Sequence, residues 1–303
     1  MQSSELSKKD YEVLNFLLKY KMLKVEDASL IYKTKRYYRE RINNLIYKKY
    51  VKRYKSFIVL DKEGRKALGE TGNNYIKNIK NEAYMERLKN IASIATLSID
   101  SPSKFIPSWE MKEKDKFTET ARRYIGKIMI DNEEFLTYYI SAKKEHVYIK
   151  QLIFDINKAI NYDNIIIFVE NFDAINKRYS NLAFGKYKTL IILNTDENKE
   201  IIRKYNSIYP YEILERIFDD EILVSDWEKA DYLLEDGTYI LYMPFIDTEK
   251  IERINWYYEE NTNIKRNINI VTLRQNEQKL KEILKNKCSI KIIDNYIGGE
   301  SEV

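Results

Sequence analysis

Cysteine and histidine are almost missing from this chain: among its 303 residues, Cys288 is the one thiol and His146 the one imidazole. A disulfide framework or a thiolate zinc cluster within one chain is therefore excluded, and so is any mechanism that needs two histidines on one metal. Proline (4) and glycine (8) are also scarce, which argues against long disordered linkers. Gly185 and the pair Gly298-Gly299 form no phosphate-binding pattern, so a P-loop nucleotide site has no support. No apolar run approaches the roughly 20 residues that span a bilayer. The opening MQSSELSKKDYE lacks the apolar core of a secretory signal. The expectation is a soluble, cytoplasmic chain with no membrane contact, no cofactor and no resident metal.

What the sequence does have is charge, unevenly placed. The formal total of +5 carries little by itself, because lysine-rich chains drift basic without binding anything. Residues 1–70, however, hold 18 Lys and Arg against 9 Asp and Glu, a net of +9, which leaves the other 233 residues at −4. The stretch 33–60, KTKRYYRERINNLIYKKYVKRYKSFIVL, has ten basic residues in 28 and one acid, Glu40. A basic module joined to a nearly neutral body is the charge distribution expected of a nucleic-acid reader.

Periodicity organises that module. Ser7 and Asp10 form an approximate capping box before Tyr11, Leu14, Leu17 and Leu18, so a helix is expected over 8–20. KMLK reads as a connection, and VEDASLIY as a second helix of about two turns. Thr34 is placed to cap a third helix over 35–48, with Tyr38, Ile42, Leu45 and Ile46 buried and Lys35, Arg36, Tyr37, Arg39, Glu40 and Asn43 outside. YVKRY and FIVLD follow as strands around a turn at Lys55-Ser56, then KEGRKAL returns to helix. This order is that of a winged helix-turn-helix. A helix of this kind fits the major groove of B-form DNA, where Arg36, Arg39 and Asn43 are residue types that read base edges. Lys52, Arg53 and Lys55 at the hairpin would contact phosphates. Lys33 and Thr34 flank the entry to the helix and complete the candidate set. A charged helix face alone is usually only solvated; here element order, a basic third helix and a basic hairpin coincide.

Beyond a turn-rich break at 69–74, residues 75–98 read as a long helix. KFIPSWEMK is expected as a strand, and RYIGKIMI and FLTYYIS as a hairpin around the turn DNEE. HVYIKQLIFDINKAIN is amphipathic. NIIIFVE and KTLIILN, almost wholly apolar and short, suit central strands covered on both faces. NINIVTL and SIKIID, with a helix between, extend the alternation into one mixed sheet. Residues 207–262 are acidic and do not resolve into elements. The reading is α/β (α+β overall): a winged helix at 1–70, a connecting helix at 71–98 and a mixed-sheet domain at 99–303.

The passage RINNLIYKKYVKRYKSFIVLDKEGRKAL, the Trp-Glu pair of IPSWEMK and the hairpin RYIGKIMIDNEEFLTYYIS resemble the replication-relaxation family of plasmids and conjugative elements. The resemblance covers the winged helix and roughly residues 80–205. It implies a role in plasmid replication or DNA relaxation and a second domain like a restriction endonuclease. An active domain of that fold would need carboxylates on the hairpin to hold Mg²⁺. The opening position falls at Arg123-Tyr124-Ile125 and the next strand at Phe135–Ser141, and neither has an acid. Asp131, Glu133 and Glu134 are expected at the turn, and Lys143 and Lys144 beyond the strand. The nuclease centre is therefore read as absent, and no catalytic residue is assigned. His146 reads as a surface or capping residue, Cys288 as a buried thiol, and Glu170 with Asp173 as caps at a strand end.

The expectation is a non-enzymatic, sequence-selective protein that binds double-stranded DNA of a mobile element, as a homodimer, with replication or transfer proteins as partners. The alternatives are a metal-dependent nuclease of the same fold and a transcriptional repressor whose body senses a small ligand.

Overall fold

A computed structural model describes residues 6–69, 81–114, 123–130, 133–142, 146–157, 162–172, 188–204, 210–260 and 266–293. The architecture is mixed α/β, as expected, with eleven α-helices among the described residues. The chain divides into two compact units: Met1–Phe117 with Ile125–Met129, and Thr118–Tyr124 with Ile130–Val303.

The first unit opens with α1 (Lys8–Tyr20), β1 (Leu23–Lys24), α2 (Ala28–Tyr32), α3 (Tyr37–Tyr47), β2 (Val51–Tyr54), β3 (Phe57–Leu60) and α4 (Lys62–Ala67). The capping box holds: the Asp10 amide donates to Ser7 Oγ (3.2 Å), and the Ser7 amide donates to Asp10 Oδ2 (2.7 Å). KMLK is more than a connection, because its Leu23–Lys24 pairs antiparallel with Phe57 and Ile58, making a three-stranded sheet in the order β1-β3-β2. Two residues are too few for a period-2 signal.

Helix α5 (Glu82–Ala95) is part of this core and not a free connector. Its Met85, Leu88 and Ala92 pack in one buried cluster with Met22 and Val59. Residues 75–80 and the break at 70–74 lie outside the described residues. The expected strand 104–112 is split: β4 (Lys104–Pro107) pairs antiparallel with β5 (Gly126–Ile130), and Ser108 starts α6 (Ser108–Lys114). Pro107 ends the strand because it has no N–H to give the ladder, and the run WEMKEK is made mostly of helix formers.

In the second unit β6 (Glu133–Ile140), β7 (Asn164–Val169) and β8 (Lys188–Leu193) run parallel, and β12 (Ile246–Asp247) joins β8 antiparallel. Ile165 to Val169 are fully buried, as a strand covered on both faces requires. Glu133 and Glu134 are the first residues of β6 and do not belong to the turn; Asp131, Lys143 and Lys144 lie outside the described residues.

The expected continuation of the same sheet is corrected. Strands β13 (Ile268–Thr272) and β14 (Ser289–Ile292) belong to a separate five-stranded sheet ordered β14-β13-β11-β10-β9. Its other strands, β9 (Ile222–Val224), β10 (Tyr232–Leu234) and β11 (Tyr239–Tyr242), come from the acidic segment 207–262. These strands have three or four residues each, so they show no run long enough to read. Helices α7 (His146–Asn157), α8 (Asp196–Lys204), α9 (Pro210–Phe218), α10 (Thr248–Glu260) and α11 (Arg274–Leu284) complete the unit.

Candidate nucleic-acid interface

Helix α3 buries Tyr38, Ile42 and Leu45 and exposes Arg36, Arg39, Glu40 and Asn43 at helical spacing on the opposite face. Its start is corrected from 35 to 37: Arg36 occupies the N-cap position without a side-chain cap bond. Thr34 still ties the first turn, its Oγ1 accepting from the Tyr38 amide at 3.2 Å. Lys35 and Arg36 therefore lie at the positive end of the helix dipole. Their charge opposes the dipole and disfavours the helix, while it favours an approaching anion.

The outward side chains differ in how far they are already held. Arg36, Glu40 and Asn43 make no hydrogen bond or ion pair among the described residues. Arg39 Nε donates to the Tyr38 hydroxyl at 3.0 Å, and its guanidinium lies 5.7 Å from the Tyr38 ring centre. Both Nη nitrogens of Arg39 stay available, and a guanidinium grips guanine O6 and N7 with two such donors. Lys33 is drawn to Asp100 at 3.1 Å in an exposed pair, which is worth little and is broken at little cost. Tyr37 is 52% exposed at the edge of the face.

The β2–β3 hairpin presents Lys52, Arg53 and Lys55, all exposed. Lys55 sits in the left-handed region (φ 54) at the turn, its ammonium 5.9 Å from the Tyr54 ring centre. Arg53 Nε donates to the Lys55 carbonyl at 3.2 Å, so the tip of the hairpin is braced by its own cation. β2 is one of the two edge strands of its sheet, and charge along an edge also deters unwanted strand pairing.

Behind the face is a buried group whose role periodicity does not reveal. Asp10 of α1 is fully buried. It accepts from the Tyr32 hydroxyl of α2 (2.6 Å), from Arg41 Nε of α3 (3.3 Å) and from a second Arg41 nitrogen. One carboxylate thus ties three helices together. Burial pushes the Asp10 carboxyl up, but hydrogen bonds from Arg41, Tyr32 and Ser7 outweigh it and hold the carboxyl below its ordinary value. Arg41 is consequently a fastener of α3 and does not belong to its outward face. Tyr47, 84% exposed, continues the Arg36–Asn43 stripe one turn further; the i+4 step from Asn43 is the signal that finds it.

Elsewhere, candidate chemistry is sparse. Among the described residues no group of three or more His, Cys, Asp and Glu is placed to hold a metal, and no helix is long and apolar enough to cross a membrane. Cys288 is half-buried, not fully buried, and burial pushes its thiol up to about 11. Glu170 accepts from the Ala142 amide (2.8 Å) and the Tyr139 hydroxyl (3.3 Å); Asp173 lies outside the described residues, as does the His146 side chain. Compared with family models, curated proteins and solved structures, the chain matches none.

Proposed function

We propose that the chain is a sequence-selective duplex-DNA-binding protein in which residues 1–70 act as a winged helix-turn-helix. In this reading α3 enters the major groove, Arg36, Arg39 and Asn43 meet base edges, and Lys52, Arg53 and Lys55 of the hairpin rest on phosphates. Glu40 would accept from a cytosine amino group and repel phosphate, a residue that favours one docking register over others. The observation that carries the proposal is the α3 stripe itself: exposed, hydrogen-bonding side chains at helical spacing, two of them arginines, on a helix braced from behind by Asp10.

The order of elements from α1 to β3, with β1 paired to β3, supports that reading. Following the resemblance to replication-relaxation proteins, we place its DNA site on a plasmid or other mobile element, with replication or transfer proteins and a second copy of the chain as partners. One such module covers a half-site, so a dimer is the expected route to affinity. In the second unit Glu133 is engaged with Lys188 at 2.8 Å, and the proposal rests on the first unit alone.

Selection of bound duplexes from a random library at physiological salt tests the reading without knowing the site. Enrichment of one short sequence is the expected result. Recovery of unenriched duplex, or of single strands in preference to duplex, would overturn it.

A further inference from the structure

The second unit contains a cleft of about 170 Å³ between the strands β6 and β8 and the segment that leads from β11 into α10. Phe135, Leu190, Met243 and Phe245 supply its apolar walls, and Glu133, Lys188, Asp247 and Lys250 its charges. Asp247 is 5% exposed. Its Oδ1 accepts from the amides of Glu249 (3.0 Å) and Lys250 (3.2 Å), as an N-cap of α10 should. Capping occupies one oxygen, and Oδ2 has no hydrogen-bond partner among the described residues. That oxygen lines the cleft and is left for whatever enters it.

The two lysines have the opposite surplus. An ammonium has three donors. Lys250 gives one to Asp231 Oδ2 (2.6 Å) and one to the Tyr242 carbonyl (3.0 Å). Lys188 gives one to Glu133 Oε2 (2.8 Å). Among the described residues, one donor on Lys250 and two on Lys188 remain unused. A small cleft with apolar walls thus presents together an acceptor and donors that no other group among the described residues engages. A divalent cation fits this badly, because two ammonium groups line the same space.

We propose that this cleft binds a free α-amino acid with an apolar or aromatic side chain. Its ammonium donates to Asp247 Oδ2, its carboxylate accepts from Lys188 and Lys250, and its side chain lies against Phe135, Leu190, Met243 and Phe245. The volume suits a ligand of that size and is smaller than the clefts that hold drug-sized molecules. The inference is independent of DNA binding, since every residue it uses belongs to the second unit.

Calorimetric titration of the full chain tests it, using leucine and phenylalanine with two truncated analogues of leucine: N-acetyl-leucine, which lacks the ammonium, and 3-methylbutylamine, which lacks the carboxylate. Leucine should bind, and both analogues should bind at least about tenfold more weakly than leucine or not at all. Asp247→Asn should retain the cap, because asparagine caps as well as aspartate, while placing an amide donor where the ammonium needs an acceptor. Loss of binding by at least about tenfold with unchanged far-ultraviolet dichroism is expected. Lys250→Met, read the same way, covers the case in which the first variant does not fold. No heat with leucine up to about 10 mM, equal binding of N-acetyl-leucine, or unimpaired binding by both variants would overturn the proposal.

Discussion

Asp10 and Asp247 are both buried carboxylates, and their surroundings drive them in opposite directions. At Asp10 the hydrogen bonds from Arg41, Tyr32 and Ser7 overcome burial. A carboxyl held low when folded adds stability above its unfolded value and loses it as pH falls through the folded one. Arg41→Ala leaves that carboxylate buried without its cation and should cost about 3–5 kcal/mol, read as a lower denaturant midpoint. Adding Asp10→Asn should recover part of the loss, and both variants should flatten the acid side of the pH–stability curve. At Asp247 burial dominates over the nearby Lys250 and Lys188 and pushes the carboxyl up. Such a group binds its proton more readily when folded, so stability declines as pH rises through the interval between the unfolded and folded values, and the penalty persists at neutral pH. Asp247→Asn should therefore raise the thermal midpoint at pH 7, with the gain shrinking as the pH is lowered toward 4. A midpoint that falls at pH 7 would show that the carboxylate is better satisfied than its burial implies.

At the scale of elements, α4 and the hairpin are the informative pieces. α4 docks its first turn on the loop after α3, with the Glu63 amide donating to the Lys49 carbonyl at 3.2 Å. A Cβ on Gly64 would stand 2.2 Å from the Tyr50 carbonyl oxygen. Alanine is the better helix former by about 1 kcal/mol, yet Gly64→Ala should destabilise by about 1–3 kcal/mol, because backbone must move to admit the methyl. Equilibrium unfolding decides between propensity and packing. For the hairpin, replacing Lys52, Arg53 and Lys55 together by alanine should weaken binding to all duplexes alike. The slope of log K against log salt should become shallower by up to about 3, at about 0.9 for every phosphate that the hairpin no longer neutralises. A change in sequence preference instead would place the hairpin on base edges.

The same elements mark what could be read from the sequence. The capping box, the α3 stripe, the hairpin and the apolar strands β7 and β8 were legible, because each rests on spacing within one segment. The Asp10–Arg41 bond joins positions 31 apart, and periodicity carries no information about such pairs. Strand β1 is two residues long, and α6 follows a proline inside a run that reads as extended. The second sheet was missed because its founding strands are short and lie in an acidic segment. The cleft was invisible for a related reason: β6, β8, β12 and α10 meet there, and β6 and α10 lie more than 100 residues apart.

Across the whole molecule, charge and chemistry divide as the two compact units do. The net positive charge lies in residues 1–70, and the second unit carries the cleft with its paired ammonium and carboxylate groups. Concentrated positive charge supplies non-specific attraction to any duplex, so affinity alone says little about reading. The ratio of specific to random binding says more. The most direct test is a competition mobility shift at about 0.15 M salt, comparing a selected duplex with random duplex for the wild type and for Arg36→Ala with Arg39→Ala. The wild type should prefer the selected duplex by about a thousandfold or more. The double variant should lose about 1–3 kcal/mol per arginine on that duplex while its binding to random duplex changes far less. Equal binding of both duplexes by the wild type, or an undiminished preference in the double variant, would contradict the assignment of α3 as the element that reads DNA.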